Sequence, residues 1–185
     1  MAIMNSDSPL GGFSGRIGNL IVRRYNGRTV LSARPRPSSK PPTDKQLERQ
    51  ARFRRAAAYG RNVCADPNLR QEYERITGKL GVYPIAVRDF LRPPEVTHVI
   101  DAEYEGNAGN QIRVYVRDDT KVAAVTVTIR NAAGEVVEHG SATEREYYWA
   151  YRAKTSVPPG TTVTIEATAR DLAGNKAVLG KEVEL

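Results

Sequence analysis

Apolar and polar positions alternate with a period of two through most of residues 94–185. Ile112, Val114 and Val116 interleave with Arg113, Tyr115 and Arg117; Val125, Val127 and Ile129 with Thr126, Thr128 and Arg130; Val163, Ile165, Ala167 and Ala169 with Thr164, Glu166 and Thr168. Successive side chains of a strand point to opposite faces, so each run predicts a strand with one buried and one solvated side. Val96–Tyr104, Val136–His139, Tyr147–Arg152 and Ala177–Leu185 extend the series to about seven strands. Turn signals separate them, among them Asn131-Ala-Ala-Gly134, Pro158-Pro-Gly160 and Asp171-Leu-Ala-Gly-Asn175.

The first half follows other patterns. Residues 1–15 are polar and glycine-bearing and read as a flexible lead. Asn19–Tyr25 and Arg28–Arg34 flank Asn26-Gly27, the residue pair of a type I′ turn, and predict a β-hairpin. Leu20 and Val22 fall on one of its faces, Ile21 and Tyr25 on the other. A lone hairpin is marginal in water, so this one must pack against or pair with something. Pro35-Arg-Pro-Ser-Ser-Lys-Pro-Pro42 predicts a semi-rigid extended strut. Thr43 and Gln46 fit a capping box at the start of a helix over roughly Asp44 to Val63. Asp66-Pro67 opens a second helix, with Gly78 as its terminating residue, and a third lies around Ile85–Leu91 before Pro93-Pro94.

These patterns predict an α+β chain: an extended basic arm over 1–42 with its hairpin and strut, a short helical region over 43–93, and an all-β sandwich over 94–185. Short alternating strands in that number argue for immunoglobulin-like architecture, without the paired cysteines of antibody domains. The turn Asp171-Leu-Ala-Gly-Asn175, after the strand ending at Arg170, resembles the F–G hairpin of bacterial Ig-like modules. That resemblance implies a spacer, display or adhesive role. Gly15-Arg-Ile-Gly18, the Asn26-Gly-Arg-Thr29 hairpin, Lys40-Pro-Pro-Thr43, Gln46 and Arg52-x-x-x-x-Ala57 resemble the opening of a family of small uncharacterised bacterial proteins. That resemblance implies a shared N-terminal docking device and no activity.

Charge divides the chain in the same way. Residues 1–93 hold 18 Lys+Arg against 7 Asp+Glu, a balance of +11, whereas residues 94–185 hold 10 against 14, a balance of −4. Arginine supplies 15 of those 18 cations, and its planar fork suits fixed contacts to carboxylate or phosphate. In the first helix Leu47, Ala51, Phe53, Ala57 and Ala58 share a broad face that also holds Arg54 and Arg61, while Arg49, Arg52 and Arg55 lie elsewhere around the cylinder. Arginine on all sides predicts a helix contacted from several directions. A recognition helix instead concentrates its cations towards one groove.

Candidate chemistry is thin. Gly12, Gly15 and Gly18 lack the strand and helix that a phosphate-binding loop needs. His98, His139 and Cys64 have no partners at metal-ligand or nucleophile spacing, so no catalytic, cofactor or metal site is expected. Asp118, Asp119 and Asp171 fall at predicted loop ends, where carboxylates either face solvent or bind calcium. Tyr147, Trp149 and Tyr151 alternate along one strand face and Tyr148 and Arg152 along the other; one set packs, and the other is a contact patch or a stacking platform for sugars or bases.

The expectation is a non-enzymatic structural subunit that assembles through its basic arm in a filament, a virion or phage-tail-like particle, or a surface layer. The residues expected to carry assembly are Leu20, Ile21, Val22, Arg23, Arg24, Tyr25, Arg28, Val30, Leu31, Arg34 and Arg36 of the arm, and Arg49, Arg52, Arg54 and Arg55 of the helix. The hairpin would complete another chain's sheet edge. Partners would be copies of this chain or a larger assembly. The alternative is a nucleic-acid-binding protein using the arginine-rich half. No apolar run is long enough for a membrane span, and the N-terminus has neither the basic start nor the apolar core of a Sec-type signal. Action inside the cell, or in a particle released from it, is therefore expected.

Overall fold

The structure, a computed structural model, describes residues 2–4, 14–25, 28–35, 40–78 and 80–185. The chain divides into two compact units, Met1–Asp44 and Lys45–Leu185.

The first unit is a four-stranded antiparallel sheet in the order β1-β4-β3-β2, from β1 (Ala2–Met4), β2 (Gly15–Ile17), β3 (Leu20–Tyr25) and β4 (Arg28–Ala33). The predicted hairpin is its centre, with Leu20 opposite Ala33 and Tyr25 opposite Arg28. Its two edges are occupied by this chain's own segments: β1 pairs with β4 and β2 with β3. Parts of the expected flexible lead are therefore strands. A hairpin apolar on both faces gains ladder hydrogen bonds from the nearest extended segments, which are its neighbours in sequence. The Asn26-Gly27 turn and residues 36–39 of the proline strut lie outside the described residues.

The second unit begins with α1 (Asp44–Ala65), α2 (Pro67–Glu74) and α3 (Val82–Leu91). Asp66 caps α2, its carboxylate accepting the amides of Asn68 and Leu69. That helix stops at Glu74, and Gly78 takes its left-handed φ of 49° a few residues later, so it does not terminate α2 as expected. Val63, Tyr73, Ile85 and Ala86 form the helical core, joined by half-buried Tyr59, Leu69, Val82 and Leu172.

Two further antiparallel sheets complete the unit. One has the order β5-β6-β10-β9, from β5 (Glu95–Glu103), β6 (Gln111–Arg117), β9 (Thr143–Glu144) and β10 (Trp149–Arg152). The other has the order β12-β11-β7-β8, from β7 (Val122–Asn131), β8 (Val136–Ser141), β11 (Thr162–Asp171) and β12 (Lys176–Glu184). Their apolar sides meet in one core that includes Val99, Ile112, Val114, Val127, Ile129, Ile165 and Ala167. Period-two patterning produced this: Val163, Ile165, Ala167 and Ala169 are all buried while the intervening residues are half-exposed. Tyr151, at 1% exposure, is buried in this core, whereas Trp149 packs half-buried at its margin.

The helices cap one end of the sheets. Tyr59 donates to the Leu172 carbonyl in the β11–β12 turn at 3.1 Å, and Arg88 to the Asp119 carbonyl in the β6–β7 loop at 3.0 Å. Arg92 pairs with the Asp119 carboxylate and Lys121 with Glu72. The helical region and the sheets expected as separate segments thus share one unit. No helix among the described residues is long and apolar enough to cross a membrane.

Candidate functional site

α1 is 22 residues long, yet only Ala56, Gly60 and Val63, all in its second half, are buried. Residues 44–50 are exposed, Ala51 is half-buried, and Arg52, Phe53, Arg54 and Arg55 are exposed again. Leu47 shows 47% and Phe53 56% of its surface to solvent. Isolated helical turns are marginal in water and most helices in proteins are held by a packed face, which these first three turns lack. Arg52 reaches back to the Leu91 carbonyl at 2.7 Å.

In the N-terminal sheet, Arg23, Arg24, Arg28 and Arg34 are exposed, Ile21, Val30 and Leu31 half-buried, Val22 buried and Leu20 41% exposed. Backbone register puts Arg23 and Arg28 on one face with Ile21 and Val30, and Arg24 on the other with Leu20, Val22 and Leu31. Among the described residues none of Arg23, Arg24, Arg28, Arg34, Arg49, Arg54 and Arg55 sits in an ion pair. Arg36 and the Tyr25 side chain lie outside the described residues.

The expected loop acids are arranged differently. Asp119 points to Arg92, which holds its carboxyl below the usual range. Its place is taken by Asp89 of α3: one oxygen from each of Asp89, Asp118 and Asp171 lies within 4.8 Å of the others. Asp89 and Asp171 are fully buried. Tyr73 donates to Asp89 at 2.5 Å and Thr120 to its other oxygen, while Asn175 donates its amide nitrogen and backbone N–H to Asp171, each at 2.7 Å. Asn175 also reaches the Asp89 carbonyl at 2.9 Å. Burial raises the Asp89 carboxyl above the usual carboxylate range, against the pull of the Thr120 and Tyr73 hydroxyls. Burial likewise raises Asp171, with Asn175 opposing and Asp89 adding to the rise.

Such oxygens are the ligand type of a hard cation, which would need further oxygens to reach its usual six to eight. The hydroxyl and amide donors already around Asp89 and Asp171 make the cluster a hydrogen-bonded joint between α3 and the two loops. Asp89 escaped the sequence reading because it sits mid-helix, far in sequence from the loops it meets.

The other candidates disperse. Thr128 and His139 Nδ1 hydrogen-bond at 2.9 Å. Exposed His98 meets Tyr115 edge-on, the Tyr115 ring lies tilted against Tyr148, and the Arg113 guanidinium lies 5.5 Å from the Tyr148 ring centre. Cys64 is a half-buried free thiol.

No family model matches the chain, and no curated protein matches it significantly. A solved structure described as an engineered protein is 28% identical over 50% of this chain and 20% of its own length, with a TM-score of 0.38.

Proposed function

We propose that this chain is a non-enzymatic structural subunit that docks on copies of itself or on a larger assembly through α1 and the basic N-terminal sheet, and that its sheet pair is an immunoglobulin-like sandwich. Lettering β5 to β12 as A, B, C, C′, D, E, F and G turns the two strand orders into A-B-E-D and G-F-C-C′, which supports the second part. The Asp171-Leu-Ala-Gly-Asn175 turn sits at F–G in that lettering, where the resemblance to bacterial Ig-like modules would put it.

The observation that carries the docking reading is the first half of α1. It exposes Leu47 and Phe53 beside Arg49, Arg52, Arg54 and Arg55. A partner surface that is apolar at its centre and acidic at its rim would cover both kinds of residue, and arginine and aromatic residues are enriched where proteins meet. The acidic second half of the chain is one surface of that charge. Docking by strand addition to the hairpin is less favoured than the sequence suggested, because β1 and β2 occupy its edges. The setting remains a filament, a virion or phage-tail-like particle, or a surface layer.

The test is sedimentation velocity and negative-stain microscopy of the full-length protein against a variant carrying Arg49→Glu, Arg52→Glu, Arg54→Glu and Arg55→Glu. Higher-order species in the wild type that the variant loses are expected. A monodisperse monomer with no ordered particles overturns self-assembly. The unpaired arginines also fit a polyanion, so duplex DNA is titrated in parallel. Tight binding whose log K falls with log salt at about 0.9 per phosphate contacted would favour the nucleic-acid reading.

A further inference from the structure

A cavity of about 290 Å³ opens at the end of the sheets, between the β9–β10 turn and the loop joining β6 to β7. The turn contributes the run Glu144 to Trp149, which holds three aromatic residues in succession. Trp149 lines the cavity from the core side, where it is also packed. Tyr147 is 76% exposed, the most solvated of the large hydrophobic residues described. An aromatic ring held out in water beside a cavity leaves a large apolar face uncovered.

The lining charges narrow the occupant. Asp118, Glu144 and Glu146 outnumber Lys121 and Arg145, so a phosphate or other anion meets net repulsion. A wholly apolar ligand would desolvate those charged groups without returning hydrogen bonds. A pyranose satisfies both halves of the site. Its axial C–H face stacks on an aromatic ring, and its rim of hydroxyls donates to carboxylates and accepts from Lys121 and Arg145. The volume lies at the small end of ligand pockets, which suits one or two sugar rings with the rest of the chain in solvent.

We propose that this cavity is a binding site for an uncharged oligosaccharide, with Tyr147 as its stacking platform and Glu144 and Glu146 as acceptors for ring hydroxyls. The proposal is independent of docking through α1. A subunit built this way would carry a sugar-recognising end on its sandwich.

Trp149 is the only tryptophan in the chain, so intrinsic fluorescence reports on the cavity directly. The full-length protein is titrated with cellotriose, chitotriose and maltotriose, and with adenosine monophosphate as an anionic aromatic probe. A saturable change is expected with at least one trisaccharide, at a dissociation constant at or below about 10 mM. Tyr147→Ala removes a ring with no core role and should weaken binding roughly five- to tenfold, the range of one aromatic contact. Val178→Ser, on exposed β12, should leave binding unchanged, and circular dichroism of each variant checks the fold. No saturable change with any of the three sugars overturns the proposal. So does a response that survives Tyr147→Ala intact, or saturation by adenosine monophosphate in preference to the sugars.

Discussion

Tyr151 on β10 donates its hydroxyl to the Glu138 carboxylate on β8 at 2.6 Å, so one hydrogen bond crosses from the first sheet of the sandwich to the second. Glu138 also accepts the backbone N–H groups of Thr155 at 2.6 Å and Lys154 at 3.0 Å. Burial alone would raise this carboxyl, but the Tyr151 hydroxyl and the two amides outweigh it and hold it below its ordinary value. A buried acid thereby becomes a fixed staple for the strand end that follows β10.

Removing that acid should cost more than removing its hydroxyl partner. Glu138→Ala strands two backbone donors and the Tyr151 hydroxyl, an expected loss of roughly 2–4 kcal/mol at about 1–3 per buried unsatisfied group, reduced where water can enter. Tyr151→Phe should cost about 1.5–3 kcal/mol, the range for a hydrogen bond to a charged group. The two changes share one interaction, so urea unfolding of the double variant should show less than the sum. Strict additivity would mean that the bond contributes nothing.

The chain's buried carboxylates respond to acid with opposite signs. Glu138 has its folded pKa below the unfolded value. Its contribution is complete above the unfolded pKa and is lost as pH falls through the folded one. Asp89 and Asp171 are raised, so theirs is complete below the unfolded pKa and lost as pH rises through the folded values. Asp89→Asn removes the penalty for ionising at that position. Its stability relative to wild type should therefore improve as pH rises from about 4 to about 8. Thermal melts across that range check it, and a pH-independent difference would contradict the raised Asp89 carboxyl.

Gly60 tests how closely α1 and α3 meet. Replacing glycine by alanine inside a helix normally stabilises by about 1 kcal/mol. Here a Cβ would stand 2.8 Å from Val87 Cγ2 and 3.0 Å from the Tyr83 ring. Tyr83 is 40% exposed and can yield, but the short branched Val87 side chain has little freedom to move aside. Gly60→Ala should therefore destabilise, by roughly 1–3 kcal/mol as overpacked sites do. A rise in melting temperature would mean that the helices separate easily.

What could be read from the sequence was whatever a local period carries. Alternation located every strand of the two large sheets except β9, and Asp66-Pro67 marked a helix start to the residue. Elements without a pattern of their own escaped: β1, β2 and β9 are two or three residues long and exist because a neighbouring strand pairs with them. The acidic cluster escaped for a related reason. Asp118 follows β6 and Asp171 closes β11, but Asp89 arrives from a helix, and only the packing of α3 brings it there. Along β10 the alternation Tyr147, Trp149, Tyr151 located the face but not the depth. Gly140 leaves space for the Tyr151 ring, whose Cε2 would lie 2.9 Å from any Cβ at that position, and this makes Tyr151 rather than Trp149 the buried residue.

The division of the chain at Asp44 yields the most decisive variant for assembly. Both apolar clusters, the sandwich core and the helical one, belong wholly to the second unit. Deleting residues 1–42 keeps Thr43 in front of α1 and removes none of those side chains. The shortened protein is expected to remain soluble and to unfold in one cooperative transition, since its cores are intact. It retains Arg49, Arg52, Arg54 and Arg55, so any assembly that is lost is due to the N-terminal sheet, and any that persists is due to α1 or the sandwich. Sedimentation of the deletion beside the charge-reversed helix variant separates the two contributions. If the proposal holds, each change alone should weaken assembly and the combination should leave a monomer. Assembly that survives the combination would place the interface on the sandwich instead.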